Sequence, residues 1–390
     1  MNIRDLQSKL YHDIEQLKSK EGYLNAGYPR YNTLFGRDSI ISAWQMLRID
    51  PSIAKATLIV LSKYQGEKID PISEEEPGKI LHEYRFEPKE QAELPNWKFP
   101  YYGSVDSTPL YIILAAEYLR ATNDKTFLLG IWKNIQAALD WIVQYGDKDG
   151  DGFIEYQRKN PYGLYHQGWK DGSDDSLKIK PPVAIVEAQG YVYAAYYSVV
   201  YINQKLIKSK KYSKIMLDFA KKLKDKFNKA FWMDDEKFFA LALDGEKMQR
   251  TAITSNPGHL LFTEIIDKTK IDYVVKRLFQ PDLWTNYGIR TLSMHDPDFD
   301  PYSYHLGSIW PHDNWIIYKG LQRLGYHQQA EKIKKALLRA YKKLNKIPEL
   351  YAVVDDEIID LSISNEDMHY TRANPVQAWA SGALLEMIMT

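Results

Sequence analysis

EAQGYVYAAYYSVVYIN (187–203) and, after a short gap, IMLDFAKKLKDKF (215–227) set the fold between them. At helical spacing the first stretch has no polar face, so a helix there must be covered on every side. In the second, Ile215, Phe219, Leu223 and Phe227 recur every fourth residue with lysines between them. That is one buried stripe and one wet face. The pair reads as an inner helix followed by the outer helix that covers it.

The same alternation runs outward to both ends of the chain. One-faced segments carry Ile3, Leu6, Leu10, Ile14 and Leu17; Ile53, Thr57, Val60, Leu61 and Tyr64; Leu128, Ile131, Ile135, Leu139 and Ile142; a weaker stripe at 269–279; and Ile333, Ala336, Leu337, Ala340, Tyr341 and Leu344. Segments apolar or small nearly all round cover 39–48, 106–121, 255–264, 309–324 and 375–389. Six of each kind in strict alternation predict an all-α (α/α)6 barrel, a single domain over 1–390 with six inner helices ringed by six outer ones. Links leaving the inner segments are short (48–51, 121–125, 203–210, 264–269, 324–327). Links entering them are long (20–38, 65–105, 147–186, 229–254, 280–308, 346–374), and in such a barrel all long links fall at one end. Long loops without their own structure are usually functional. The active face is expected there, together with what little strand the chain holds.

Composition narrows the function. With 51 basic and 51 acidic side chains the 390 residues carry no net charge, against the basic excess that nucleic acid requires. Zero cysteines exclude disulfides, thiolate metal sites and a thiol nucleophile. No apolar run is long enough to span a membrane, and the charged N-terminus does not read as a secretory signal, so a cytoplasmic protein without nucleic-acid or membrane partners is expected. The 10 Trp and 29 Tyr fit either large-core packing or a cleft of rings with polar edges suited to sugars.

The long links hold FGRDS (35–39), NWKFPYYGSVDSTP (96–109), YHQGWKDGSDDS (165–176), EAQGY (187–191), TSNPGH (254–259), YHLGSIWPHDN (304–314) and IPEL (347–350). Carboxylates, amides and histidines alternate with aromatics just before inner helices begin. Convergent carboxylates among rings are what glycoside hydrolysis needs: one acid protonates the leaving oxygen, and a second carboxylate activates water or attacks directly. Trp97, Tyr101, Tyr102, Trp169 and Trp310 are candidate stacking platforms, and His305, His312 and Asp313 candidates for the pocket floor. Asp106 either caps the helix over 106–121 or meets substrate. DKDGDGFIE (147–155) begins like a calcium loop, but its twelfth position is Arg158, so a tight turn is the favoured reading and no metal or cofactor is expected.

Taken in order over residues 25–390, GRDS, YYGSVDSTPL, QGWKDGSD, EAQGY, HLGSIWPHDN and PEL resemble the catalytic domain of amylo-α-1,6-glucosidase and glycogen-debranching-type enzymes. That domain is similar to those of glucoamylases and the processing-glucosidase/mannosylglycerate-hydrolase group. The resemblance implies Asp171 as general acid, with Asp174 and Asp175 behind it, and Glu349 as base, with Glu357 or Glu366 as substitutes. It places Arg37 and Asp38 on the terminal sugar, unless they form only an ion pair and a helix cap. Lys170, beside Asp171, and Gln189, in EAQGY, join the substrate-binding set. Glu187 competes as second carboxylate, or else answers a helix dipole.

The reaction implied is inverting, exo-acting release of glucose from α-glucosides of maltooligosaccharide or debranching type. A mannosylglycerate- or glucosylglycerate-type hydrolase is the alternative, and an epimerase using His166, His259, His305 or His312 the outsider. Asp171 precedes the third inner helix and Glu349 the sixth. They should face each other across the mouth, wide enough apart for a water and hence for inversion.

Overall fold

The computed structural model describes residues 3–363 and 373–389. The outer helices are α1 (Ile3–Leu17), α3 (Pro51–Lys63), α5 (Trp132–Trp141), α7 (Lys210–Ala230), α9 (Lys268–Leu278) and α11 (His327–Leu344). The inner ones are α2 (Gly36–Met46), α4 (Ser107–Thr122), α6 (Val186–Leu206), α8 (Leu260–Thr263), α10 (Pro311–Arg323) and α12 (Ala378–Met389). The inner ring closes: α2 packs on α4 and α12, α4 on α6, α6 on α8, α8 on α10, and α10 on α12. Outer helices lie against it, α1 on α12, α3 on α2 and α4, α7 on α6, α11 on α10 and α12. The fold is the (α/α)6 barrel that the alternation predicts. No described helix is long and apolar enough to cross a membrane.

Two details depart from the sequence pattern. On α7 the buried stripe is Met216, Ala220, Leu223 and Phe227, while Ile215 is 40% exposed and Phe219 only half-buried. Both stripes share the same helical spacing, and the one facing α6 is set by packing. The fourth inner helix is short. A 3-10 turn, Asn256–His259, with Pro257 at its start, leads into the single α turn of α8, and Glu264 in the left-handed region ends it.

Caps explain where the outer helices begin: Asp50 accepts from the Ser52 amide at 3.0 Å, and Ser209 from that of Tyr212 at 3.3 Å. Neither Asp38 nor Asp106 caps its inner helix with its side chain. Both carboxyls are turned to other work at the mouth.

Glycine brings the inner helices close. A Cβ on Gly320 of α10 would lie 2.5 Å from the Leu261 Cβ and 2.7 Å from the Phe262 amide nitrogen of α8. Gly320→Ala should therefore lower the urea midpoint. Helix propensity returns about 1 kcal/mol, but overpacking against a backbone that cannot step aside costs about 1–3 kcal/mol. An unchanged or raised midpoint would show that α8 can yield.

Strands are brief and sit in the long links. Tyr351–Val354 and Glu357–Asp360 make a hairpin after α11, and Gly27–Tyr28 pairs with Val376–Gln377, tying the first long link to the last.

Candidate active site

The N-terminal ends of α2, α10 and α12 open onto a pocket of about 400 Å³. Arg37 and Asp38 stand on the first turn of α2, and Trp310 caps α10. Asp171 ends a tight loop in which the Tyr165 amide donates to the Gly172 carbonyl at 2.7 Å. Glu349 follows α11, which Asn345 ends in the left-handed region, and its own amide donates to the Asn374 carbonyl at 2.9 Å. Arg37, Asp38, Trp97, Trp169, Asp171, His305, Trp310 and Glu349 all line this one pocket.

Arg37 organises the acids. Its Nη1 donates to both Asp106 oxygens at 3.2 and 3.1 Å and to the Gly168 carbonyl at 2.9 Å, while its Nη2 donates to Asp171. Asp106 is wholly buried, whereas the Asp171 side chain keeps 23% of its surface open. Burial raises the Asp171 carboxyl above its ordinary value, against the pull of Arg37. Glu349 accepts from the Tyr304 hydroxyl and, at 2.7 Å, from the Asn374 amide. Burial nevertheless pushes it up to about 7, and Asp171 adds to the rise. Asp38, bonded by the Gln377 amide at 3.3 Å, is pushed by burial to about 8. The mouth thus holds carboxyls that exchange protons near neutrality and open onto a shared space. That is the equipment of general acid–base chemistry.

The raised Glu349 has a stability consequence. The unfolded side chain titrates near 4.5 and the folded one at about 7, so the folded chain holds the proton more tightly. Stability from that proton is complete below the unfolded value and is lost as pH rises through the folded one. Glu349→Gln cannot ionise and keeps it. Its unfolding free energy should match the parent near about pH 4 and exceed it by up to roughly 3 kcal/mol near about pH 8. Parallel denaturant curves at both pH values would refute the buried, proton-holding carboxyl.

The remaining candidates sit behind the wall. Tyr101 is buried, its hydroxyl donating to Glu74 at 3.2 Å, and Tyr102 donates to the Tyr64 carbonyl at 2.8 Å. Lys170 is buried with its ammonium on the Thr291 carbonyl at 2.6 Å, its pKa lowered by burial to about 8. Glu187 accepts from Asn256 at 3.0 Å, and Gln189 is occupied by the backbone of Ile154 and Ile185. Asp313 pairs with His259 at 2.7 Å, and His312 stacks on Trp379 with centroids 3.7 Å apart. Asp106 acts through Arg37. Asp174 and Asp175 are exposed, as is Glu357 on its hairpin. Glu366 lies outside the described residues.

Of the four histidines an epimerase would draw on, His305 alone lines the pocket. His166 faces Asp175 and Tyr156, and His259 faces Asp313 and Tyr191. His82 is a second pocket histidine that the motifs do not mark. Burial holds both His82 and His305 well below their ordinary value, which makes them weak bases.

Tyr31, Glu83, Tyr304 and Trp379 also line the pocket, although no motif singles them out. Tyr304 is adjacent to His305 in YHLGS, and Trp379 heads the last apolar segment. Those two positions were the available signal.

The 147–155 loop does bring Asp147, Asp149 and Asp151 within mutual ligand distance. A cation is already there. The Lys247 ammonium lies 2.6 Å from Asp149 and 2.7 Å from Asp151 and also contacts Glu155. Asp147 is engaged by the Gly150 and Gly152 amides at 2.7 and 2.8 Å.

A helical barrel whose loop-rich mouth gathers buried carboxyls among aromatic rings defines a glycoside hydrolase type of centre. The sequence matches the family model of the mannosylglycerate hydrolase MGH1-like glycoside hydrolase domain over residues 31–357, and the chain belongs to that family. Among solved structures it is similar to the GH63 mannosylglycerate hydrolase from Thermus thermophilus in complex with glucose. The TM-score is 0.74 at 14% identity, covering 99% of this chain and 100% of that one. The same enzyme with Tris and D-glycerate gives 0.72 at 13% identity, covering 98% and 99%. A structure described as a glycosidase gives 0.68 at 13%, covering 98% and 95%. No curated protein matches the sequence. Of the groups that the motifs resemble, the family match favours the mannosylglycerate-hydrolase group over the debranching enzymes.

Proposed function

We propose that this chain is an inverting, exo-acting hydrolase of small α-glycosides of the mannosylglycerate or glucosylglycerate type. Asp171 acts as general acid and Glu349 as the base that activates water. The observation that carries the reading is the placement of these two carboxyls, both raised by burial, in one pocket that Arg37 and Asp38 also line. In this role Arg37 orients the acid, and Tyr304 and the Asn374 amide orient the base. Trp169 and Trp310, packed edge to face with centroids 5.8 Å apart, wall the sugar ring. Proton flow balances: Asp171 gives its proton to the glycosidic oxygen, Glu349 takes one from water, and both are reset through solvent.

An acidic aglycone is supported beside Tyr31, which lines the pocket. Arg30 is exposed, its guanidinium lies 5.7 Å from the Tyr31 ring centroid, and its charge is felt by Glu349. It has no carboxylate ion-pair partner among the described residues, so a glycerate-like carboxylate would find a free fork there. The T. thermophilus structure with D-glycerate supports the same direction for that enzyme. An α-glucosidase acting on maltooligosaccharides is the second reading, favoured by the chain's own motifs.

A panel of mannosyl- and glucosylglycerate, maltose and isomaltose, with product followed by early proton NMR, tests both. The expected result is cleavage of a glyceryl glycoside with the β-anomer of the sugar appearing first. Preference for maltose would select the second reading. A first-formed α-anomer would overturn the pairing of Asp171 with Glu349, since a retaining pair stands closer together.

A further inference from the structure

The opposite end of the barrel, where the inner helices finish, holds a larger cavity of about 770 Å³. A second, of about 400 Å³, adjoins it, and the two share Trp44, Glu117, Arg120, Phe262 and Arg323. The shared wall makes them one depression running from the end of α12 to the flank of α6. The size is within the range of ligand sites, yet none of the residues named for the catalytic pocket lines it.

Its chemistry is specific. Tyr193, Tyr197 and Tyr201 carry rings along the α6 side, and half-buried Trp44 stands at the junction. The cations are mostly answered internally. Lys319 pairs with Glu386 at 2.7 Å, Arg323 with Glu264 at 2.6 Å, and Arg120 with Glu117 while lying over Tyr201. Arg48 alone among these cations has no acidic partner among the described residues, and the converging helix C-termini add partial negative charge. The depression therefore offers little net pull on an anion. What it offers is paired donors and acceptors set between ring faces. Gln45 forms part of the wall of the larger cavity: it is fully buried, its Nε2 donates to the Trp379 carbonyl at 3.0 Å, and its Oε1 lies against Gly382 of α12.

We infer that this depression is a second sugar site, binding a neutral oligosaccharide of several rings apart from the catalytic mouth. Rings stack on Trp44 and Tyr197, and the paired arginines and glutamates take vicinal hydroxyls.

Maltotetraose is the probe, titrated into the full chain carrying fluorinated tryptophan, with the Trp44 resonance assigned through Trp44→Phe. Trp44 should shift on titration in the parent and equally in Asp171→Asn. Affinity at Trp44 should drop tenfold or more in the Arg120→Ala/Tyr197→Ala double variant, whose two changes are at accessible positions and whose hydrolysis of small glycosides should be unchanged. No movement of Trp44 at millimolar maltotetraose would overturn the inference. So would a shift given by inorganic phosphate instead, or binding that survives the double variant. Because Trp44 reports the far end whether or not any glycoside is cleaved, failure here and failure of the proposed reaction are separable.

Discussion

Asp171→Asn should lower kcat by about two to four orders of magnitude, the usual worth of a positioned general acid, while KM and the folded state change little. Asparagine keeps the shape and can still accept from Arg37, which now bonds Asp171. Only the proton is gone. The control lies in the leaving group: a glycosyl fluoride departs with little help, so the variant should regain a large part of its rate on that substrate. Loss of activity on glycosides and fluorides alike would mean that Asp171 binds rather than protonates. Turnover close to the parent's would hand the acid role to another pocket carboxyl, with Asp38 the first to examine.

The second large effect is expected at Arg37, and there it should appear in stability as well as rate. Its side chain has 4% exposure and is the ion-pair partner of both Asp106 and Asp171. Arg37→Met would leave the fully buried Asp106 without its countercharge, and breaking a buried pair from one side costs about 3–5 kcal/mol. Arg37→Lys should recover only part of it, since one ammonium cannot reach two carboxylates and the Gly168 carbonyl at once. Denaturant unfolding of both variants measures this. A parent-like midpoint for Arg37→Met would refute the buried ion pair between Arg37 and Asp106.

Most of the barrel could be read ahead of the structure, because covering a helix on all sides leaves a mark that a one-sided helix lacks. α6 and α7 show how far that goes. The alternation placed one inside the other, but Ile215 and Phe219 outweighed Met216 and Ala220 on size, and it was the smaller residues that faced inward. Periodicity names a face only to within one residue when two adjacent stripes are both apolar. α8 shows the other limit, since Pro257 and the left-handed Glu264 shorten an element whose composition is helical throughout.

At the mouth, Arg37, Asp171 and Glu349 were legible from short motifs. The contacts that hold them were not. Tyr304 reaches Glu349 across 45 residues, and Asp106 reaches Arg37 across 69. Glu187, Gln189 and Asp313 have the residue types of a sugar site and start the right helices, but those first turns point into the barrel rather than the pocket. Whether an inner-helix acid meets the ligand or the wall depends on a rotation about the helix axis that no spacing in the sequence records.

The ammonium of Lys247 among Asp149, Asp151 and Glu155 has a meaning for how the protein meets its surroundings. A loop held by a dissolved ion is only as ordered as the supply of that ion, and a chelator or a dilute medium can strip it. Here the positive charge is covalently part of the chain, present at a fixed effective concentration, and no competitor can wash it out. The segment leading toward the Asp171 loop thereby needs no metal supply, and it would survive an excess of EDTA as readily as an excess of calcium.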